Sequence, residues 1–455
     1  MKPQPLSAGV KSAVFICLCI CAVLLLFSAC SKKSSINTDM NNSMYRFFLY
    51  NYDVLDTMQK KKASYEYGEK FSDKERIAQL FMVNIDGSTT YSKANDFNDG
   101  ISPGAYIFFT FNIDTSPSSV IAFTDSVYDY YKDSIPPLLA IDHEGGSVNR
   151  LRSITSPLPS QLSVSKYCTE QEASSLYENT AHQLRLLGFT FNLSPVAEPL
   201  LESNEEFLQD RSFGSIDKTI LLSSVLIESY NKYNILCALK HFPGNTNDDP
   251  HTGLPRITVS RDVFQNQMVH PFHTILNNSP LHTAVLLSHA VIPSVTGSIP
   301  ACFSKELTTG ILKDSIGFKG IILTDDIFMG AIADQGYDAY KSVESALLAG
   351  ADMIMSSQKR FVHLIPYIQK RMMEDTHLMA GVNESFTKII QTKIKTGVLR
   401  YHKISSYDIF TMLPSINEYR VVNSNSEYSS IQREEKFNQI KNDGLELYAA
   451  YFNED

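Results

Sequence analysis

From about Phe71 onward the chain repeats one pattern, a short apolar run followed by polar residues and then an amphipathic stretch. The runs are Leu80 to Val83, Ala105 to Phe109, Leu138 to Ile141, Phe189 to Val196, Ile235 to Leu239, Ala284 to Leu287, Ile321 to Leu323 and Met353 to Met355. Helical periodicity fills most of the gaps, as in Gln171 to Leu187, Ile216 to Tyr233 and Ser304 to Ile316. Strands that alternate with helices require right-handed crossovers and a parallel sheet. Eight such units in roughly 330 residues predict an α/β fold of the (β/α)8 type, a TIM-like barrel. A doubly wound open sheet is the alternative, but no G-x-G-x-x-G follows a strand, so nothing points to a dinucleotide site. The last barrel helix is expected over Asn383 to Thr396, with Phe386, Ile389, Ile390 and Ile394 on one face and Gly397 as its stop. The catalytic domain is therefore expected over residues 71–400. Residues 401–455 are Ser/Asn-rich to about Ser430 and helix-compatible from Gln432 to Phe452, an appendage to the barrel.

The N-terminus has a different logic. Lys2 and Lys11 precede an uncharged apolar run from Ala13 to Phe27, closed by Ser28-Ala29-Cys30. A charged segment, a short apolar segment and small residues make a secretory leader, here residues 1–29. The run is shorter than the roughly 20 apolar residues of a spanning helix. Cys30 directly after Ser28-Ala29 resembles a bacterial lipoprotein box, with Phe27 where Leu is commonest. This implies lipidation of Cys30 and an extracytoplasmic protein held to a membrane; an uncleaved anchor is the alternative. Residues 30–70, polar with an aromatic patch at Tyr45 to Tyr50, read as a tether and a short packed segment.

Of the seven Cys, Cys17, Cys19, Cys21 and Cys30 belong to this leader region, and no C-x-x-C pair occurs. A zinc ribbon or disulfide scaffold is disfavoured. Cys237 lies inside an apolar run and reads as a small buried hydrophobe. The formal charge of −9 becomes −11 once Lys2 and Lys11 leave with the leader. An acidic chain without a basic block is a poor nucleic-acid binder.

Barrel enzymes carry their chemistry at the C-terminal ends of the strands. Here Leu138 to Ile141 runs into Asp142-His143-Glu144-Gly145-Gly146, and Ile235 to Leu239 runs into Lys240-His241. Leu286-Leu287 runs into Ser288-His289, and Ile322-Leu323-Thr324 into Asp325-Asp326. One polar residue after a strand means little. Four such sets converging on one rim suit a polyol-binding acid/base site.

The stretches Ile141 to Arg150, Lys240-His241-Phe242-Pro243-Gly244, Asp249-Pro250-His251 and Gly317 to Gly330 resemble glycoside hydrolase family 3, most closely its β-N-acetylhexosaminidase branch in the barrel-only form. Asn192 to Val196, Asp210 to Gly214 and Ala349 to Asp352 support the likeness, which spans about residues 72 to 400 in order. The resemblance implies a retaining mechanism, with a nucleophile on one face of the anomeric carbon and a proton donor on the other. Asp325 matches the nucleophile, and Asp326 is expected to be a supporting carboxylate. Asp249 and His251 match an Asp-x-His acid/base dyad, the His exchanging the proton and the Asp orienting it. Asp142 would accept from ring hydroxyls, aided by Arg150. Arg211, Lys240 and His241 would donate to hydroxyls and the acetamido group, and His289 would line the same rim. Gly145 and Gly146 would allow a tight turn.

These matches imply removal of non-reducing β-N-acetylglucosamine from peptidoglycan fragments or chito-oligosaccharides, with no cofactor and no metal, by a monomer. A phosphorylase of the same branch, a β-glucosidase and a non-catalytic sugar-binding lipoprotein are the alternatives. Three departures from the pattern stand out: Asn245 to Asp248 is a shortened insert, Pro250 replaces the usual Ser, and Glu198 stands where Asp is common. The chain has no Trp, leaving 23 Tyr and 26 Phe as the rings available for sugar stacking.

Overall fold

The computed structural model describes residues 56–248, 253–278, 283–407, 416–423 and 429–452. The leader, residues 30–55 of the tether segment with Cys30, and the dyad residues Asp249 and His251 lie outside the described residues. The chain divides into a main unit, residues 60–404 with 419–455, and a small one, residues 1–59 with 405–418. Within the small unit the described residues are 56–59, 405–407 and 416–418, short pieces of helix and strand.

The main unit is built on eight parallel strands: β1 (Phe81–Asn84), β2 (Ala105–Phe108), β3 (Leu138–Ile141), β4 (Phe191–Asn192), β5 (Leu236–Phe242), β6 (Thr283–Leu287), β7 (Ile321–Thr324) and β8 (Ile354–Ser356). Their order in the sheet is β8-β1-β2-β3-β4-β5-β6-β7, with no reversal. The two ends meet. Leu323 of β7 bridges Met353, just before β8, in parallel, with Thr324 N–H on the Met353 carbonyl at 3.0 Å and Met353 N–H on the Ile322 carbonyl at 3.0 Å. The sheet is therefore a barrel and not a doubly wound open sheet. The strands are buried nearly throughout, as sheets covered on both faces must be, which explains why they read as unbroken apolar runs.

Two strands differ from their sequence pattern. Only Phe191–Asn192 of the fourth run is paired as strand, with a single further bridge from Val196 to Lys240. The fifth strand extends through Phe242, so Lys240 and His241 lie within it and not in the loop after it. A run of seven buried residues can include two polar ones because each finds a buried carboxylate, as described below.

Serine, threonine and aspartate caps start the helices. Thr169 caps Glu170–Leu186 with a reciprocal Glu172 contact, and Ser215 caps Ile216–Asn231. The last barrel helix is longer than expected, its buried face continuing through Val382 and Leu378. It runs over Thr376–Lys395 because Asp375 accepts from His377 N–H and Leu378 N–H and starts it early. After it the chain passes through two paired strands, Leu399–Tyr407 and Ile416–Asn423, into the helix Ser430–Phe452. That helix lies on barrel helices Glu170–Leu186 and Pro117–Tyr130. Asn179 Nδ2 donates to the Ile440 carbonyl at 2.8 Å and Arg433 pairs with Asp125. Among the described residues no helix is long and apolar enough to cross a membrane.

Candidate active site

The residues expected at the rim converge where β3, β5 and β7 end. After β3 the chain turns through a tight hairpin, His143–Gly145 against Val148–Asn149. Gly145 and Gly146 have φ of 96° and 54°, a region costly for other residues. A Cβ on Gly145 would stand 2.2 Å from the Pro159 carbonyl oxygen. This turn aims Asp142 and Glu144 at β5.

Glu144 is the centre of the charge network. Its Oε1 accepts from Lys240 Nζ at 2.6 Å and from Arg211 Nη2 at 2.9 Å, and its Oε2 accepts from Arg211 Nε at 2.9 Å. Lys240 Nζ also donates to Asp142 Oδ1 at 2.7 Å. Burial pushes the Glu144 carboxyl up, but Lys240 and Arg211 outweigh it and hold the group at about 2. Burial alone would pull Lys240 down; Asp142 and Glu144 hold it above its ordinary value. The Asp142 side chain is 18% exposed against 1% for Glu144, so the first is open to a ligand and the second serves the cations.

His241 is fixed by Glu198. The ring Nδ1 lies 2.6 Å from Glu198 Oε1, an acceptor, so Nδ1 carries the proton and Nε2 is the ring atom not committed to it. Glu198 also accepts from His241 N–H at 3.1 Å and Asn245 N–H at 2.6 Å. The stem of the shortened insert is tied down too. Asn247 N–H donates to the Ser203 carbonyl at 2.8 Å, Asn247 Nδ2 to the Glu202 carbonyl at 3.1 Å, and Glu206 N–H to Asn247 Oδ1 at 3.0 Å.

Asp325 follows β7, where its own N–H donates to the Leu287 carbonyl at 3.0 Å and its Oδ1 accepts from Asp326 N–H at 2.8 Å. Burial pushes its carboxyl up; His289, His241, the Asp326 N–H and Lys240 together outweigh burial and hold it below the usual carboxylate range. Asp325 is thus an ionised carboxylate beside cationic and N–H donors. Asp326 has a different task, since its Oδ1 accepts from Phe328 N–H at 3.0 Å and Ser357 N–H at 2.9 Å, joining the loops after β7 and β8.

Two rim residues differ from the simple picture. His289 is buried with both ring nitrogens engaged, Nε2 at 2.9 Å from the Asp326 carbonyl and Nδ1 at 3.2 Å from Cys302 Sγ. Arg150 has its Nε buried without a partner. Glu144 lies inside the motif after β3 but carries no sequence signal of its own, because its role depends on two cations from distant strands and loops. His143 carries no such signal either. It is buried with neither ring nitrogen bonded, and burial pulls it to about 3, keeping the ring neutral. Among the described residues no group of three or more His, Cys, Asp or Glu side chains is placed to hold a metal ion.

A closed (β/α)8 barrel whose rim sets an ionised carboxylate against acceptors and cations spaced for a polyol is the architecture of a glycoside hydrolase. The chain belongs to glycosyl hydrolase family 3: the family's N-terminal domain matches residues 73–392. It is similar to beta-hexosaminidase LpqI of Mycobacterium tuberculosis, 26% identical over 334 residues that cover 71% of this chain and 83% of the relative. A beta-hexosaminidase of Psychromonas ingrahamii is 31% identical over 230 residues, 49% of this chain and 67% of the relative. Among solved structures, a family 3 glycosyl hydrolase of Mycobacterium smegmatis superposes with a TM-score of 0.63 at 26% identity, covering 71% of this chain and 97% of that one. A β-N-acetylglucosaminidase of Paenibacillus sp. shares the fold with a TM-score of 0.64 at 21% identity, over 82% of this chain and 69% of that one. The chain is a glycoside hydrolase.

Proposed function

We propose that the protein is a retaining β-N-acetylhexosaminidase that releases non-reducing β-N-acetylglucosamine from peptidoglycan fragments or chito-oligosaccharides. Asp325 attacks the anomeric carbon and forms a glycosyl-aspartate, which water then hydrolyses. His251, oriented by Asp249, protonates the departing oxygen and later takes a proton from the attacking water. Asp142 accepts from ring hydroxyls while Lys240 and Arg211 donate, His241 offers its Nε2 to a sugar hydroxyl, and Arg150 supplies a further cation.

The observation that carries this reading is the pairing of an ionised, inward Asp325 with the Asp142–Lys240–Glu144–Arg211 network on the same rim. The names of the relatives support the acetamido sugar. The leader pattern supports an extracytoplasmic lipoprotein anchored through Cys30.

The test is release of an aryl leaving group from its β-N-acetylglucosaminide and from its β-glucoside, with and without inorganic phosphate, beside Asp325→Asn. Turnover of the acetamido sugar alone, independent of phosphate and lost in the variant, is expected. Phosphate dependence would make the enzyme a phosphorylase. Saturable N-acetylglucosamine binding by folded protein without turnover would leave a sugar-binding lipoprotein.

A further inference from the structure

Behind the nucleophile lies a chain of three hydrogen bonds outside the sugar-binding network. Cys302 Sγ is 3.2 Å from His289 Nδ1, His289 Nε2 is 2.9 Å from the Asp326 carbonyl oxygen, and Asp326 N–H donates to Asp325 Oδ1 at 2.8 Å. The donors can be assigned. A carbonyl oxygen only accepts, so His289 Nε2 carries the proton. In the neutral ring Nδ1 is then an acceptor, and the Cys302 thiol, held protonated by burial and by the Asp325 charge, donates to it.

Cys302 and His289 are both almost fully buried, so no water stands ready to replace either partner. Cys302 sits in the turn Ala301–Phe303, whose Ala301 N–H is bonded to the Ala290 carbonyl at 2.9 Å. The thiol is therefore presented from a fixed backbone. Residue 326 is held from three sides: its carbonyl by His289, its carboxylate by the Phe328 and Ser357 N–H groups, and its N–H by the nucleophile itself.

We propose that Cys302 is a positioning residue for the reaction, its S–H fixing the His289 tautomer that holds residue 326 and through it the direction in which Asp325 faces the sugar. The proposal rests on Asp325 being the nucleophile. The ring is the one element whose state has two options: with Nδ1 satisfied it donates from Nε2, and without a donor at Nδ1 it is left with a bare buried acceptor and reorients. A misplaced nucleophile lowers the rate of attack far more than it lowers ground-state binding.

Cys302→Val removes the donor and adds about one methyl group of bulk, Cys302→Ala removes the donor and some bulk, and Cys302→Ser keeps a donor on a smaller side chain. On the aryl glycoside that the wild type cleaves, kcat/KM is expected to fall about tenfold in the Val and Ala variants and to recover in Ser. The inhibition constant of free N-acetylglucosamine should not move, since the groups that grip the sugar are untouched. An ¹⁵N imidazole spectrum should show His289 protonated at Nε2 with a hydrogen-bonded Nδ1 in the wild type and in Ser, and altered in Val. Thermal melts identify any variant that fails to fold. Full activity in Val, loss in Ser equal to that in Val, or an inhibition constant that rises in step with the loss would each overturn the proposal. If the wild type cleaves no glycoside, the functional reading fails; the spectrum still decides the tautomer, and an unchanged Val spectrum overturns the proposal there too.

Discussion

Glu198 Oε1 and His241 Nδ1 lie 2.6 Å apart, and the same carboxylate takes the backbone N–H groups of His241 and Asn245 and the Asn245 side-chain amide. One buried acid thus joins the end of β5, which carries His241, to the first residue of the insert that leads toward Asp249 and His251. Glu has one more methylene than Asp. The longer side chain lets a single carboxylate reach both strand end and insert.

Glu198→Ala should therefore do two things at once. Stability is expected to fall by about 2–4 kcal/mol, because buried donors lose their acceptor. Activity is expected to fall by roughly 10- to 100-fold through His241 and the insert. Glu198→Asp should lie between, with the carboxylate reaching one set of donors only. Denaturant melts and kcat/KM on the aryl glycoside measure both, and an Asp variant equal to wild type would show that reach is irrelevant.

The Glu144 network makes acid stability predictable. Its carboxyl is held at about 2 in the folded protein against an ordinary 4.5. A folded value below the unfolded one means stability fully present above about pH 4.5 and lost as pH falls from there through about 2. The melting temperature should decline over that window. Glu144→Gln leaves Lys240 and Arg211 without their shared anion, so it should cost about 3–5 kcal/mol at neutral pH while flattening the acid decline. A variant with an unchanged acid slope would move the effect to other carboxylates.

The barrel was legible because parallel strands buried on both faces leave continuous apolar runs, and Asp142, Lys240, His241 and Asp325 were legible because each follows such a run. Their partners were not. Glu144 looks like any acid in a turn until Arg211 and Lys240 arrive from elsewhere in the chain, and Cys302 looks like a small buried residue until the backbone turn presents it to His289. The helix Thr376–Lys395 begins seven residues before the expected Asn383, because the Asp375 side chain caps it there and Leu378 and Val382 carry the apolar stripe of Phe386 and Ile390 back toward that cap.

Cys30 carries the localisation proposal. Expressed in full in a bacterium with lipoprotein processing, the protein should incorporate labelled fatty acid and partition into detergent. Cys30→Ser should abolish the label and leave catalysis by the barrel intact. A Cys30→Ser protein that keeps the label would assign the lipid to another residue, and an unlabelled but membrane-bound wild type would point to an uncleaved anchor.

Gly444 tests what the tail helix does. Mid-helix glycine ordinarily weakens a helix by about 1 kcal/mol relative to Ala, so at an exposed site Gly→Ala would stabilise. Here a Cβ would meet Ser156 Oγ at 2.3 Å and Asn179 Oδ1 at 2.4 Å. Both atoms are already bonded to Gln183 Nε2, at 2.7 Å and 2.6 Å, and Asn179 donates to the Ile440 carbonyl one turn earlier. None of them can retreat without breaking a buried hydrogen bond. Gly444→Ala should therefore destabilise by about 1–3 kcal/mol despite its better helix propensity, and Gly444→Val by more. Deletion of residues 429–455 should lower the melting temperature as well, because it uncovers the faces of Glu170–Leu186 and Pro117–Tyr130 that the tail helix covers. A stabilised Ala variant would mean that the helix does not seat on the barrel at this position.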